Sequence, residues 1–278
     1  MLKRTTCVVS FGVLGLVHGS AMGQCIVPDN GFGTATMPPD CTYFTFDDDM
    51  RIVDGLPFGT TIEIDARIMD ILNVVEVNGG ALGGTITSYD SFLILPMQGT
   101  GALAGFSRFI GMQLPAASNF CDCAPRVAAD PVQSFDTEMR AMTGEVFGDP
   151  DFDILRVRAG VANGLPPSLG HTVLGAKGAN MWQVDSFFDI TYTIEFQGAP
   201  GSILEGFGGV TEATVRFSTD FCPTDLNNDG VTDTADLGIL IAEFGTPGVL
   251  ADLNNDGVVD TADLGIMIGE FGQFCFPT

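Results

Sequence analysis

The run Asp225-Leu226-Asn227-Asn228-Asp229-Gly230-Val231 returns 27 residues later as Asp252-Leu253-Asn254-Asn255-Asp256-Gly257-Val258. Both copies continue as Asp-Thr-Ala-Asp-Leu-Gly-Ile, and as far as Gly245 and Gly272 they differ only at Thr232/Val259, Leu240/Met267 and Ala242/Gly269. Alternating oxygen donors around a central glycine are the pattern of a calcium loop, because a hard cation takes six to eight oxygen ligands and the glycine permits the sharp bend between them. The first ligand set is Asp225, Asn227, Asp229, the Val231 carbonyl, Asp233 and Asp236. The second is Asp252, Asn254, Asp256, the Val258 carbonyl, Asp260 and Asp263. The last ligand of each loop is Asp where Glu is usual, which is one methylene shorter and needs the following helix to start closer to the ion.

After each loop the apolar residues Leu237, Leu240, Ile241 and Phe244, then Leu264, Met267, Ile268 and Phe271, recur at i, i+3, i+4 and i+7. This spacing predicts a short amphipathic helix, ended by Gly245 or Gly272. Each unit is thus loop then helix, and nothing predicts a helix in front of the loop. A tandem of such half-EF-hands resembles the dockerin family, over residues 222–278. The resemblance implies two bound calcium ions and docking onto a cohesin-type domain or another extracellular protein. It also implies that Thr234, Ala235, Thr261 and Ala262, at loop positions ten and eleven, contact that partner. The module departs from the family in carrying no Lys or Arg, with Glu243 and Glu270 on its helices.

The start of the chain agrees with an extracellular destination. Lys3 and Arg4 precede an apolar run from about Cys7 to Val17, followed by small residues up to Gly23. Residues 1–23 therefore read as a secretory signal, since the run is too short for a bilayer core of about 30 Å. The expected location is secreted or extracellular, with attachment at a cell surface through the module. Removing the signal takes the net charge from −24 to −26. Such acidity disfavours nucleic acid and anionic membrane surfaces, whose phosphates need Lys or Arg.

Six cysteines remain after the signal, an even number in an exported chain. Cys222 and Cys275 flank the repeats and would close the module end to end, worth roughly 4 kcal/mol on a chain-entropy estimate. Cys25, Cys41, Cys121 and Cys123 allow three pairings. Cys25 with Cys41 is preferred, because Cys121 and Cys123 are too close to pair without strain.

Residues 24–220 read as all-β. Alternating runs at 61–65, 192–196 and 214–217, separated by Gly, Pro and Asp, predict half-buried strands, and a β-sandwich is the expected container. A weaker repeat relates Asp90-Ser91-Phe92, Gln98-Gly99 and Leu103 to Phe106 with Asp185-Ser186-Phe187, Gln197-Gly198 and Leu204 to Phe207. It suggests halves over 43–115 and 132–220, joined by a Pro/Ala-rich stretch that holds Cys121 and Cys123.

No catalytic constellation stands out. His171, the one histidine after the signal, falls in a Gly/Pro-rich stretch and reads as a solvated loop residue. No nucleophile elbow, phosphate loop or zinc pattern is present. The alternative to a non-catalytic docked protein is a glycoside hydrolase or accessory protein of polysaccharide catabolism. That chemistry needs only two suitably spaced carboxylates, for which Glu63, Glu76, Glu145 and Glu195 are candidates. Polysaccharide binding by stacking has only Trp182, Tyr43, Tyr89 and Tyr192 to draw on.

Overall fold

A computed structural model describes residues 25–45, 49–177, 180–219, 224–227, 231–246, 251–254 and 258–272. The expected signal at 1–23, Cys222, Cys275, Asp229 and Asp256 lie outside these residues. In chain order the strands are β1 (Cys25–Pro28), β2 (Tyr43–Thr45), β3 (Met50–Ile52), β4 (Ile62–Ile64), β5 (Arg67–Asn78), β6 (Thr85–Gly99), β7 (Ser107–Leu114), β8 (Asn119–Cys123), β9 (Val132–Phe147), β10 (Phe152–Ala159), β11 (Ser168–Ala176), β12 (Met181–Gly198) and β13 (Gly208–Ser218). Two helices follow, α1 (Thr234–Glu243) and α2 (Thr261–Gly269). None of the described helices is long and apolar enough to cross a membrane.

The all-β reading of the large domain holds, and the reason is period-two burial. Along β12 every second residue from Trp182 to Phe196 is buried, and β6 repeats the pattern from Thr87 to Met97. The arrangement is more closed than the two separate sheets of a simple sandwich. Hydrogen bonding runs β9-β11-β12-β13-β2-β5-β6, and β8 pairs with both β6 and β9, so these eight strands form a ring. Closure depends on two short strands: β2 offers two residue pairs to each neighbour, and β8 crosses between the long strands β6 and β9. The stretch expected to be a linker therefore contains a bridging strand. Its Cys121 and Cys123 face inward, and that inward face makes β8 part of the core.

Inside the ring lies one apolar cluster drawn from strands around its whole circumference. Phe106, Phe152 and Phe196 stack edge to face at 6.3 Å, joining the turn before β7 to β10 and β12. The Cys25–Cys41 disulfide forms as expected and ties β1 to the segment before β2, while Cys121 and Cys123 are free.

The two resembling segments form hairpins of like construction. The Gly99 N–H donates to the Phe106 carbonyl, and the Gly198 N–H to the Phe207 carbonyl, each at 2.9 Å. At Gly99 and Gly198 a Cβ would meet the carbonyl oxygen of Leu103 at 2.4 Å and of Leu204 at 1.8 Å, so only glycine fits either place.

The helices have a separate, small core of Leu226, Leu240, Ala251, Val259 and Met267. Its composition corrects the expected helix faces. Leu240 and Met267 are fully buried, whereas Ile241 and Ile268 are 60% exposed and Phe244 and Phe271 44% exposed. The cause is local: Asp236 and Asp263 must face their loops, and this turns positions 236/240 and 263/267 inward while Ile241 and Ile268 swing to solvent. Phe244 and Phe271 lie beyond the ends of α1 and α2.

Candidate metal centre

Each repeat is organised around the carboxylate that ends its loop. Oδ1 of Asp236 accepts the Asn227 N–H at 2.9 Å and Oδ2 accepts the Asp233 N–H at 2.8 Å, so one side chain gathers positions three, nine and twelve of the loop. In the second repeat Oδ1 of Asp263 accepts the N–H groups of Leu253 (2.7 Å) and Asn254 (3.1 Å), and Oδ2 accepts that of Asp260 at 2.7 Å. The sequence places Asp at both ends of this turn because Asp233 and Asp260 are also the helix N-caps. Their side chains accept from Ala235 and Ala262 at 2.6 and 2.7 Å, completing capping boxes with Asp236 and Asp263.

The repeats are interlocked by backbone hydrogen bonds. After α1, the N–H of Gly245 donates to the Val259 carbonyl at 2.8 Å, and after α2 the N–H of Gly272 donates to the Thr232 carbonyl at 2.8 Å. Both glycines have positive φ, 80° and 86°, as the residue closing a helix commonly does. Each helix thereby ends against the other repeat's loop.

Asp225, Asp236 and Asp263 are at most 1% exposed, and residues 222–278 contain no Lys or Arg to neutralise them. Buried carboxylates are costly without a counter-charge. The backbone donors on Asp236 and Asp263 supply part of the compensation and leave acceptor capacity on each carboxylate. The donor set is hard oxygen throughout, and it fits a divalent cation of the calcium type. Among the described residues no group of three or more His, Cys, Asp or Glu side chains is assembled, and the central ligands Asp229 and Asp256 fall outside them. Asp252 is partly buried, Asn227 and Asn254 are exposed, and Val231 and Val258, whose carbonyls the sequence assigns to position seven, sit just before the N-caps. Thr234, Ala235, Thr261 and Ala262 are all exposed on the first turns of α1 and α2.

The large domain brings together a group that sequence reasoning missed. His171 lies in strand β11, not in a loop. Its Nδ1 is 2.9 Å from Asp136 Oδ1 and its Nε2 is 2.8 Å from Ser134 Oγ. Ser134 and Asp136 are two apart on β9 and so share a face, and Asp136 is the register partner of His171. The connectivity is that of a catalytic triad, but the setting is not. Asp136 is 76% exposed, so water screens the charge that a triad aspartate must exert on the imidazolium. We read the group as a polar cross-strand ladder. No signal in the sequence could reveal it, because the contact depends on the β9–β11 register.

Three of the four candidate glycosidase carboxylates are held in ion pairs. Glu145 and Glu195 both bind Arg156, Glu195 at 2.7 Å, and Glu76 binds Arg126 at 3.0 Å. Glu63 is exposed opposite Arg51 and Gln98. Trp182, Tyr43, Tyr89 and Tyr192, the candidate sugar platforms, are all at most 5% exposed and belong to the core. In comparisons with known proteins, no family model, no curated protein and no solved structure matches the chain.

Proposed function

We propose that residues 222–278 are a dockerin-like module whose two loops each bind a calcium ion, and that this module attaches the β-domain to a cohesin-type or other extracellular protein. The observation that carries the reading is the burial of Asp225, Asp236 and Asp263 in a module with no basic side chain. Two ions would lower the module's formal charge from −10 to −6 and add to the small apolar core that the described residues form. The exposed first turns of α1 and α2, with Thr234, Ala235, Thr261 and Ala262, then form the surface offered to the partner.

The role of the β-domain in this reading is cargo: it is the part that the module holds in place. Calorimetry on the full chain should give two calcium ions per molecule. Immobilised full-length protein should then retain an extracellular partner in calcium and release it in EGTA. Retention indifferent to EGTA would count against docking, and the absence of calcium uptake would remove its basis.

A further inference from the structure

In a chain whose Cys25 and Cys41 are joined, Cys121 and Cys123 stay as thiols, and both are 1% exposed. They stand two apart on β8 and so point to the same side of the strand. Directly opposite Cys121 on β9 is Met139, 2% exposed. Facing residues in an antiparallel pair have Cβ atoms about 4.5–5.5 Å apart, so the Met139 thioether reaches the same buried side. There it also accepts the Tyr89 hydroxyl at 3.5 Å. Three buried sulfur side chains are thus presented on one side of the β8–β9 pair.

The geometry points to a site for a single soft monovalent cation, with copper(I) as the metal of choice, held by the Cys121 and Cys123 thiolates and the Met139 thioether. Thiolate and thioether donors select soft ions, whereas calcium and magnesium want oxygen and zinc wants four ligands. The intervening Asp122 faces the opposite way, where its carboxylate accepts the Ala81 N–H at 2.7 Å. Binding is written Cu⁺ plus two thiols giving a dithiolate complex of charge −1 and two protons released. No electron is transferred. Arg126 lies three residues beyond Cys123 and is itself paired with Glu76 at 3.0 Å.

A surface cleft adjoins the end of β8. This cleft of ≈ 420 Å³, lined by Gly84, Thr85, Ala124 and Arg126, opens beside Cys123, and Thr85 is the register partner of that cysteine. A Cβ at Gly84 would lie 2.4 Å from the Cys123 carbonyl oxygen, so the backbone packs this closely against the end of β8 only because residue 84 is glycine.

The test is anaerobic titration of the full chain with copper(I) supplied as its acetonitrile complex, in competition with a bicinchoninate chelator. One copper(I) per chain is expected, with sulfur-to-copper charge-transfer absorption and release of two protons. Cys123→Ser should abolish this uptake. Met139→Leu, which nearly conserves volume and keeps the fold, should weaken it at least about tenfold. Failure of the wild-type chain to take copper from the chelator would overturn the proposal. So would uptake unchanged in Cys123→Ser or in Met139→Leu. A Cys121–Cys123 disulfide found by mass spectrometry in the isolated chain would also overturn it.

Discussion

The indole N–H of Trp182 donates to Oδ2 of Asp29 at 2.9 Å, across 153 residues of sequence. Oδ1 of the same carboxylate accepts the N–H groups of Gly31 and Gly33 at 2.7 and 3.2 Å, so one side chain both shapes the turn after β1 and fixes it to β12. These bonds favour the ionised form. The Trp182 bond is the largest influence, and the carboxyl is held below its ordinary value.

The sign of the pH dependence follows. A depressed carboxylate contributes stability above its unfolded value, about 3.9, and loses it as pH falls through its lower folded value. Trp182 is the chain's only tryptophan, so its emission should report the loss of this bond in acid. In Asp29→Asn the acid step in Trp182 emission should disappear. A step that persisted unchanged would assign it to other carboxylates.

Chelation should act on the helices alone. With EGTA the helical circular-dichroism signal is expected to fall while Trp182 emission stays native, because the two apolar cores are separate. Asp236→Ala or Asp263→Ala should each reduce the calorimetric stoichiometry from two ions to one. A helical signal unmoved by EGTA would show that the module is stable without metal.

Gly198→Ala tests how the second hairpin is built. Its new methyl group would stand 1.8 Å from the Leu204 carbonyl oxygen, a rigid backbone atom. The expected cost is about 1–3 kcal/mol, the range for overpacking a site that must shift to admit a group. Gly148→Ala makes a useful comparison: its φ of 66° also disfavours a side chain, but nothing lies within 4 Å of the added Cβ. In denaturant unfolding, the midpoint for Gly198→Ala should be the lower of the two.

Ser134 should behave as an ordinary hydroxyl despite its place beside His171. A fluorophosphonate probe, which labels activated serines, is expected to leave it unmodified. Asp136→Asn should change stability by no more than about 0.5 kcal/mol, as is usual for an exposed partner. Covalent labelling at Ser134 that Asp136→Asn abolishes would establish the group as a working triad and restore an enzymatic reading.

The sequence by itself determined what depends on neighbours along the chain. The two loop–helix repeats are legible because their ligand and apolar spacings are local, whereas the capping boxes of Asp233/Asp236 and Asp260/Asp263 were added by the structure. The strands are legible because alternation is a local property, while Cys25–Cys41 was one preferred pairing among three until the structure formed it. Tertiary structure alone decided the closure of the strand ring through β2 and β8, the meeting of Cys121 with Met139, the ladder of Ser134, His171 and Asp136, and the exposure of Ile241 and Ile268. Register is the reason for the first three. A slip of one residue between distant strands would turn every side chain to the other face, and register is set by the packing of the whole core, including the irregularity between Phe120 and Cys121. For the helices the reason is a competition that periodicity cannot weigh: the demand that Asp236 and Asp263 face their loops overrides the best apolar stripe.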